Sequence, residues 1–70
     1  MFFILYIRNN KISDISVTKN YKKLNWLMAN NNKIKDISTL KNNKELNYLD
    51  LENNQIEDVS SITDLSKLET

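Results

Sequence analysis

The chain repeats itself at a fixed offset of 22 residues, and few folds can accommodate that. Set out as rows 2–23, 24–45 and 46–67, with 68–70 opening a fourth, it stacks Phe2, Leu24, Leu46 and Leu68 in one column. Further apolar columns are Leu5, Leu27 and Leu49; Ile7, Ala29 and Leu51; Ile12, Ile34 and Ile56; and Ile15, Ile37 and Val59. Polar columns keep the same step: Asn10, Asn32 and Asn54, then Asp14, Asp36 and Asp58, then Ser16, Ser38 and Ser60. A unit this small cannot cover its own apolar face, so each must lie on the next, and a solenoid of stacked coils is expected. At the start of each row the inward pairs Leu5 and Ile7, Leu27 and Ala29, and Leu49 and Leu51 alternate with outward residues, which is the period of a strand. The Ile columns return from the far side of the coil to close the core.

Composition narrows what such a coil can do. Seventy residues suffice for one small array, 1–70, with no internal boundary marked by a Gly, Ser or Pro run. Ten Lys and Arg against nine Asp and Glu leave a net charge of +1, too balanced to grip nucleic acid. No Cys and no His are present, so disulfides, thiolates and imidazole bases are all missing. No nucleophile stands beside a recognisable base, and no catalytic residue, cofactor or metal is expected. The apolar start from Phe2 to Ile7 is far short of the ~20 residues that cross a bilayer, and it has neither the basic opening nor the cleavage site of a secretory signal. No membrane insertion is expected, and the chain as encoded reads as cytoplasmic.

The segments Leu24-x-x-Leu27-x-Ala29-x-x-Asn32-x-Ile34 and Leu46-x-x-Leu49-x-Leu51-x-x-Asn54-x-Ile56 match the leucine-rich repeat signature. The chain resembles a leucine-rich repeat protein over essentially its whole length. The run Asn54-Gln55-Ile56-Glu57-Asp58-Val59-Ser60, echoed from Asn32 and from Asn10, is similar to the 22-residue repeat of bacterial internalin-type surface proteins. The regulatory leucine-rich subunit of type-1 protein phosphatase has the same repeat length. Internalin repeats usually carry Pro after the Ser, where this chain has Val17, Thr39 and Ser61. The resemblance implies an α/β leucine-rich repeat solenoid, a right-handed superhelix of about three coils. It places short parallel β-strands on the concave face and 3₁₀ or short helical turns on the convex one. It also implies ligand binding rather than catalysis, and a parent of this type would be displayed at the cell surface.

Several columns admit both a structural and a functional role. Asn10, Asn32 and Asn54 can form a polar ladder for a ligand, or bond turn backbone that would otherwise be buried unpaired. The second use is favoured. With no Gly anywhere, Asn9, Asn31 and Asn53 are expected to supply left-handed turns. Asp14, Asp36 and Asp58 invite a cation, but no Gly-hinged calcium loop accompanies them. Ser16, Ser38 and Ser60 are expected to cap the convex turns. Asn43, in the column of Tyr21 and Leu65, and Ala29, beside Ile7 and Leu51, mark an expected underpacked spot in the middle repeat.

The outward strand residues carry the binding expectation. They form cross-strand rows of Ile4, Trp26 and Tyr48, of Tyr6, Met28 and Asp50, and of Arg8, Asn30 and Glu52. Trp and Tyr dominate interface hot spots because they offer large rigid apolar area with a polar tip. The expected partner-binding residues are Tyr6, Arg8, Trp26, Met28, Tyr48, Asp50 and Glu52, facing a protein or peptide ligand. Aromatic pairs on neighbouring strands also stabilise a sheet by ~0.2–1 kcal/mol each, and the two roles are compatible. The competing reading is an uncapped fragment of a larger leucine-rich repeat protein, a scaffold with no activity of its own. Phe2 and Leu68 stand at open apolar ends on that reading, and self-association through them is a further expectation.

Overall fold

Each row folds as one coil of a strand and a 3₁₀ return. The computed structural model describes residues 2–63 and 65–68, so Glu69 and Thr70 of the fourth row lie outside the described residues. Strands β1 (Ile4–Tyr6), β2 (Trp26–Met28) and β3 (Tyr48–Asp50) form one parallel sheet in the order β1-β2-β3. Their register is the repeat itself: Leu5 pairs with Leu27 and Leu27 with Leu49, each partner 22 residues on. The returns are 3₁₀ segments η1 (Ser16–Asn20), η2 (Ser38–Asn42) and η3 (Ser60–Ile62), and among the described residues no segment is α-helical.

The 3₁₀ geometry follows from a second, shorter period. In the first coil Thr18 N–H donates to the Ile15 carbonyl, Tyr21 N–H to Thr18 and Leu24 N–H to Tyr21, at 2.9 to 3.0 Å. The same chain of bonds runs through Ile37, Leu40, Asn43 and Leu46, and through Val59, Ile62, Leu65 and Leu68. A three-residue repeat eclipses side chains at i and i+3, so every third residue faces the same way. Here that way is the core: Ile15, Leu24, Ile37, Leu40 and Leu46 are all buried.

Burial is greatest in the middle coil, which has a neighbour on each side. Leu27, Ala29, Ile34 and Leu40 are fully buried, whereas Leu5, Ile7 and Ile12 of the first coil and Leu51, Ile56 and Ile62 of the third are only partly covered. This gradient is the physical content of a repeat array, in which each apolar layer is shielded by the next coil.

Asparagine makes both the turns and the ties between coils. Asn9, Asn31 and Asn53 have φ of 60°, 62° and 58°, the left-handed region expected for them. Their amides form a ladder, Asn31 Nδ2 donating to Asn9 Oδ1 and Asn53 Nδ2 to Asn31 Oδ1, both at 2.7 Å. Next along the chain, Asn32 Oδ1 accepts from Ile12 N–H at 3.1 Å, while its Nδ2 donates to the carbonyls of Ile7 and Ala29 at 3.0 Å. Asn54 repeats the pattern one coil later, on Ile34 N–H and on the carbonyls of Ala29 and Leu51. These columns therefore serve the backbone, as the stronger of the two readings holds.

Two expectations are corrected. Asn43 does not open the convex side to solvent, although its Oδ1 has no hydrogen-bond partner among the described residues. It is fully buried, and its Nδ2 donates at 2.9 Å to the carbonyls of Thr18 and Tyr21, tying η2 to the coil before it; Ala29 of the same coil is equally buried. Ser16, Ser38 and Ser60 are not the caps of the 3₁₀ turns. Their backbone N–H groups are the donors, each to the carboxylate two residues earlier, Asp14, Asp36 or Asp58, at 2.8 Å. Phe2, at the open end of the column of Leu24 and Leu46, is 54% exposed. Of the adjacent pair Phe2 and Phe3 the coil takes only one ring inward, and Phe3 packs against the core and against Tyr21 with ring centroids 5.4 Å apart.

Candidate functional site

The outward face of the sheet gathers the aromatic residues. Asn25 sets the entry to β2: its Oδ1 accepts from Phe3 N–H at 2.9 Å, while Asn25 N–H and Trp26 N–H both donate to the Phe3 carbonyl. That clasp fixes Trp26 over the first coil. Phe2 meets Trp26 edge-on, centroids 5.2 Å apart at 80°, and Tyr48 lies against its other side at 5.1 Å and 44°. Such pairs contribute ~0.5–1.5 kcal/mol beyond their buried area, which favours this arrangement of the rings. Neither the Trp26 indole N–H nor the Tyr48 hydroxyl makes a hydrogen bond among the described residues. Two polar tips are thus left unspent beside a contiguous apolar surface.

The remaining candidates divide by coil. Tyr6 is well exposed, and the Arg8 guanidinium lies 5.1 Å from its ring centroid while donating to its hydroxyl. Met28, on the central strand, and Tyr48, on the edge strand β3, are half-buried. Asp50 Oδ1 accepts from Glu52 N–H at 3.1 Å, which holds the two acidic residues of the outward rows together at one end of the face. Asn30 stands between Arg8 and Glu52 in the repeat, and its Oδ1 is buried with no hydrogen-bond partner among the described residues. The structure therefore joins Trp26 with Tyr48, Tyr6 with Arg8, and Asp50 with Glu52, and sets Arg8 and Glu52 on opposite outer coils. Phe2 belongs to the aromatic row although its column points to the core. The signal available was the doubled aromatic, since two adjacent strand residues cannot both face inward.

The acidic column sits elsewhere, on the convex side. The Ser16 backbone N–H, and after it the Ser16 hydroxyl, hold the Asp14 carboxyl below its ordinary value of 3.8, and Ser38 and Ser60 do the same for Asp36 and Asp58. Among the described residues no group of acidic side chains is arranged to hold a metal ion. A carboxylate whose folded pKa is depressed stabilises the fold above its unfolded pKa, and that contribution is lost as pH falls through the folded value. Urea midpoints are therefore expected to hold steady down to about pH 5 and to drop below about pH 4. Asn at 14, 36 and 58 keeps an acceptor without a titrating group, so the triple variant should flatten that acid limb; an unchanged limb would place its origin in other carboxyls.

The fold is similar to that of internalin C2 from Listeria monocytogenes, with a TM-score of 0.90 and 44% identity over 91% of this chain. The chain is an internalin-like leucine-rich repeat array. It spans 28% of the length of the internalin C2 chain. No protein-family model and no curated protein matches the sequence. The internalin-like repeats account for the parallel sheet, the 3₁₀ returns and the inward asparagines. Among the described residues no helix is long and apolar enough to cross a membrane.

Proposed function

We propose that this array is a non-catalytic interaction module that receives a protein or peptide segment on the outward, concave face of its sheet. One observation carries the reading: Phe2, Trp26 and Tyr48 form a contiguous aromatic row in which the Trp26 and Tyr48 polar tips are unspent. Rigid aromatic surface gives up little side-chain freedom on binding, which is why Trp and Tyr concentrate at hot spots. Tyr6, Arg8, Met28, Asp50 and Glu52 surround the row and supply its polar margin.

A peptide selected from a random displayed library on the immobilised chain provides the test. Trp26→Ala is expected to weaken that peptide at least about tenfold while leaving the circular dichroism spectrum unchanged. Equal affinity for the variant would move the site off this face. If Trp26→Ala unfolds the chain, Trp26→Phe, which keeps a ring against Phe2 and Tyr48 but removes the indole N–H, reports the loss of that donor alone.

A second reading treats the array as a scaffold segment with no ligand of its own. The observation that favours it is the 28% share of internalin C2 that the chain spans. It predicts that no displayed peptide is enriched at all.

A further inference from the structure

The charges on the outward face are sorted by coil. Beyond the aromatic row, β3 presents Tyr48 and Asp50 on the same side of the sheet, and exposed Glu52, two residues past the strand, continues the parallel ladder by accepting from Asn31 N–H through its backbone carbonyl. The only ion pair among the described residues joins Lys67 to Glu45 at 3.0 Å, so none of these residues neutralises Asp50 or Glu52. The one cation of these outward rows, Arg8, is on the first coil and is engaged with Tyr6. The hydrogen bond from Glu52 N–H to Asp50 Oδ1 fixes the Asp50 carboxyl and leaves its other oxygen available. A strand rises ~3.3 Å per residue, so alternate positions lie ~6.6 Å apart along it.

We propose that the partner is an extended peptide segment with an apolar residue followed, at alternate positions, by two basic residues. This rests on the concave-face reading and gives it a chemistry and a direction. The apolar side chain lies on Trp26 and Tyr48, and the two cations meet Asp50 and Glu52. The match is one of spacing as well as sign, since an extended peptide carries its alternate side chains at the same ~6.6 Å interval as β3. Arg8 sets the polarity across the sheet, because a basic segment displaced toward the first coil meets a like charge instead. Opposite charge gives register and speed of encounter, while the aromatic row supplies the apolar contact.

The test uses three synthetic nine-residue peptides that share one central Leu and differ at the second and fourth residues after it: both Lys, both Glu, or both Ala. Trp26 is the only tryptophan of the chain, so its fluorescence reports occupancy of the aromatic row directly. The Lys peptide is expected to bind about fivefold or more tighter than the Ala peptide at low salt, and the Glu peptide more weakly than either. Asp50→Asn with Glu52→Gln should erase the Lys preference while leaving the Ala peptide unchanged, and the amide oxygen introduced at position 50 still accepts from the N–H of residue 52. If the double variant fails to fold, salt titration of the natural chain serves instead, because the Lys preference must shrink as the Debye length falls from ~30 Å at 0.01 M to ~3 Å at 1 M. Equal binding of all three peptides would overturn the proposed chemistry and leave the concave-face reading intact. Trp26 fluorescence unmoved by every peptide would overturn both.

Discussion

Replacing Leu27 by Ala is expected to cost about 3–5 kcal/mol and to remove most or all of the cooperative unfolding transition at 25 °C. Leu27 is fully buried, and its strand neighbours in the register are Leu5 and Leu49, so a cavity there opens beneath both adjoining coils. Chains of this length hold roughly 3–10 kcal/mol in total, and the smallest domains lie toward the low end. A loss of that size lowers the melting temperature by about 15 °C or more. Leu5→Ala removes the same atoms from the first coil, where the side chain is only partly covered, and should cost about half as much. Urea titration followed by circular dichroism reads both values. Equal costs at the two sites would mean that burial does not peak in the middle coil.

Asn32→Asp should be as damaging at pH 7, for an electrostatic reason. The variant keeps the oxygen that accepts from Ile12 N–H, but turns the donor side into a charged oxygen aimed at the carbonyls of Ile7, Ala29 and Asn30. A buried charge left without a partner costs about 3–5 kcal/mol. Burial among carbonyl oxygens raises the carboxyl pKa in the folded state, so protonation relieves the repulsion and the deficit shrinks as pH falls. That trend opposes the one expected for Asp14, Asp36 and Asp58, whose depressed pKa values make the natural chain less stable in acid. Denaturant midpoints at pH 7 and pH 5 read the difference, because the natural chain holds steady over that interval while the variant should gain stability. A variant as stable as the natural chain at pH 7 would mean that the Asn column is not a buried tie between coils.

Much of the architecture is legible because the repeat fixes three things together. The 22-residue offset states which leucines stack, strand alternation states which side they take, and the absence of glycine leaves asparagine to make the turns at 9, 31 and 53. What escapes is chemistry that depends on a neighbouring coil. Asn43 reads as a defect along its own column, because the carbonyls of Thr18 and Tyr21 that it serves lie more than twenty residues away. Ser16 reads as a cap because hydroxyls often cap helices, yet the Asp14 carboxylate reaches the Ser16 N–H first. Phe2 heads the column of Leu24 and Leu46 at its open end, and which way it turns needs the fold, where Phe3 fills the space beside Tyr21 and Phe2 meets Trp26. The outward rows are legible as rows. The pairing of Arg8 with Tyr6, and the lack of an ion pair at Asp50 or Glu52 among the described residues, required coordinates.

The mutual shielding of the coils is read most directly by residue-resolved amide hydrogen exchange. Ala29 N–H donates to Asp50 and Asn31 N–H to Glu52, on the third coil, while Lys33 N–H donates to Ile12 on the first, all at 2.8 to 2.9 Å. If the middle coil is held by both neighbours, these three amides open only when the whole chain unfolds. They should then share one exchange free energy, equal to the stability measured in denaturant. Distinct values for Lys33 and for the pair Ala29 and Asn31, each below that stability, would show the coils opening separately and would contradict a single stacked core.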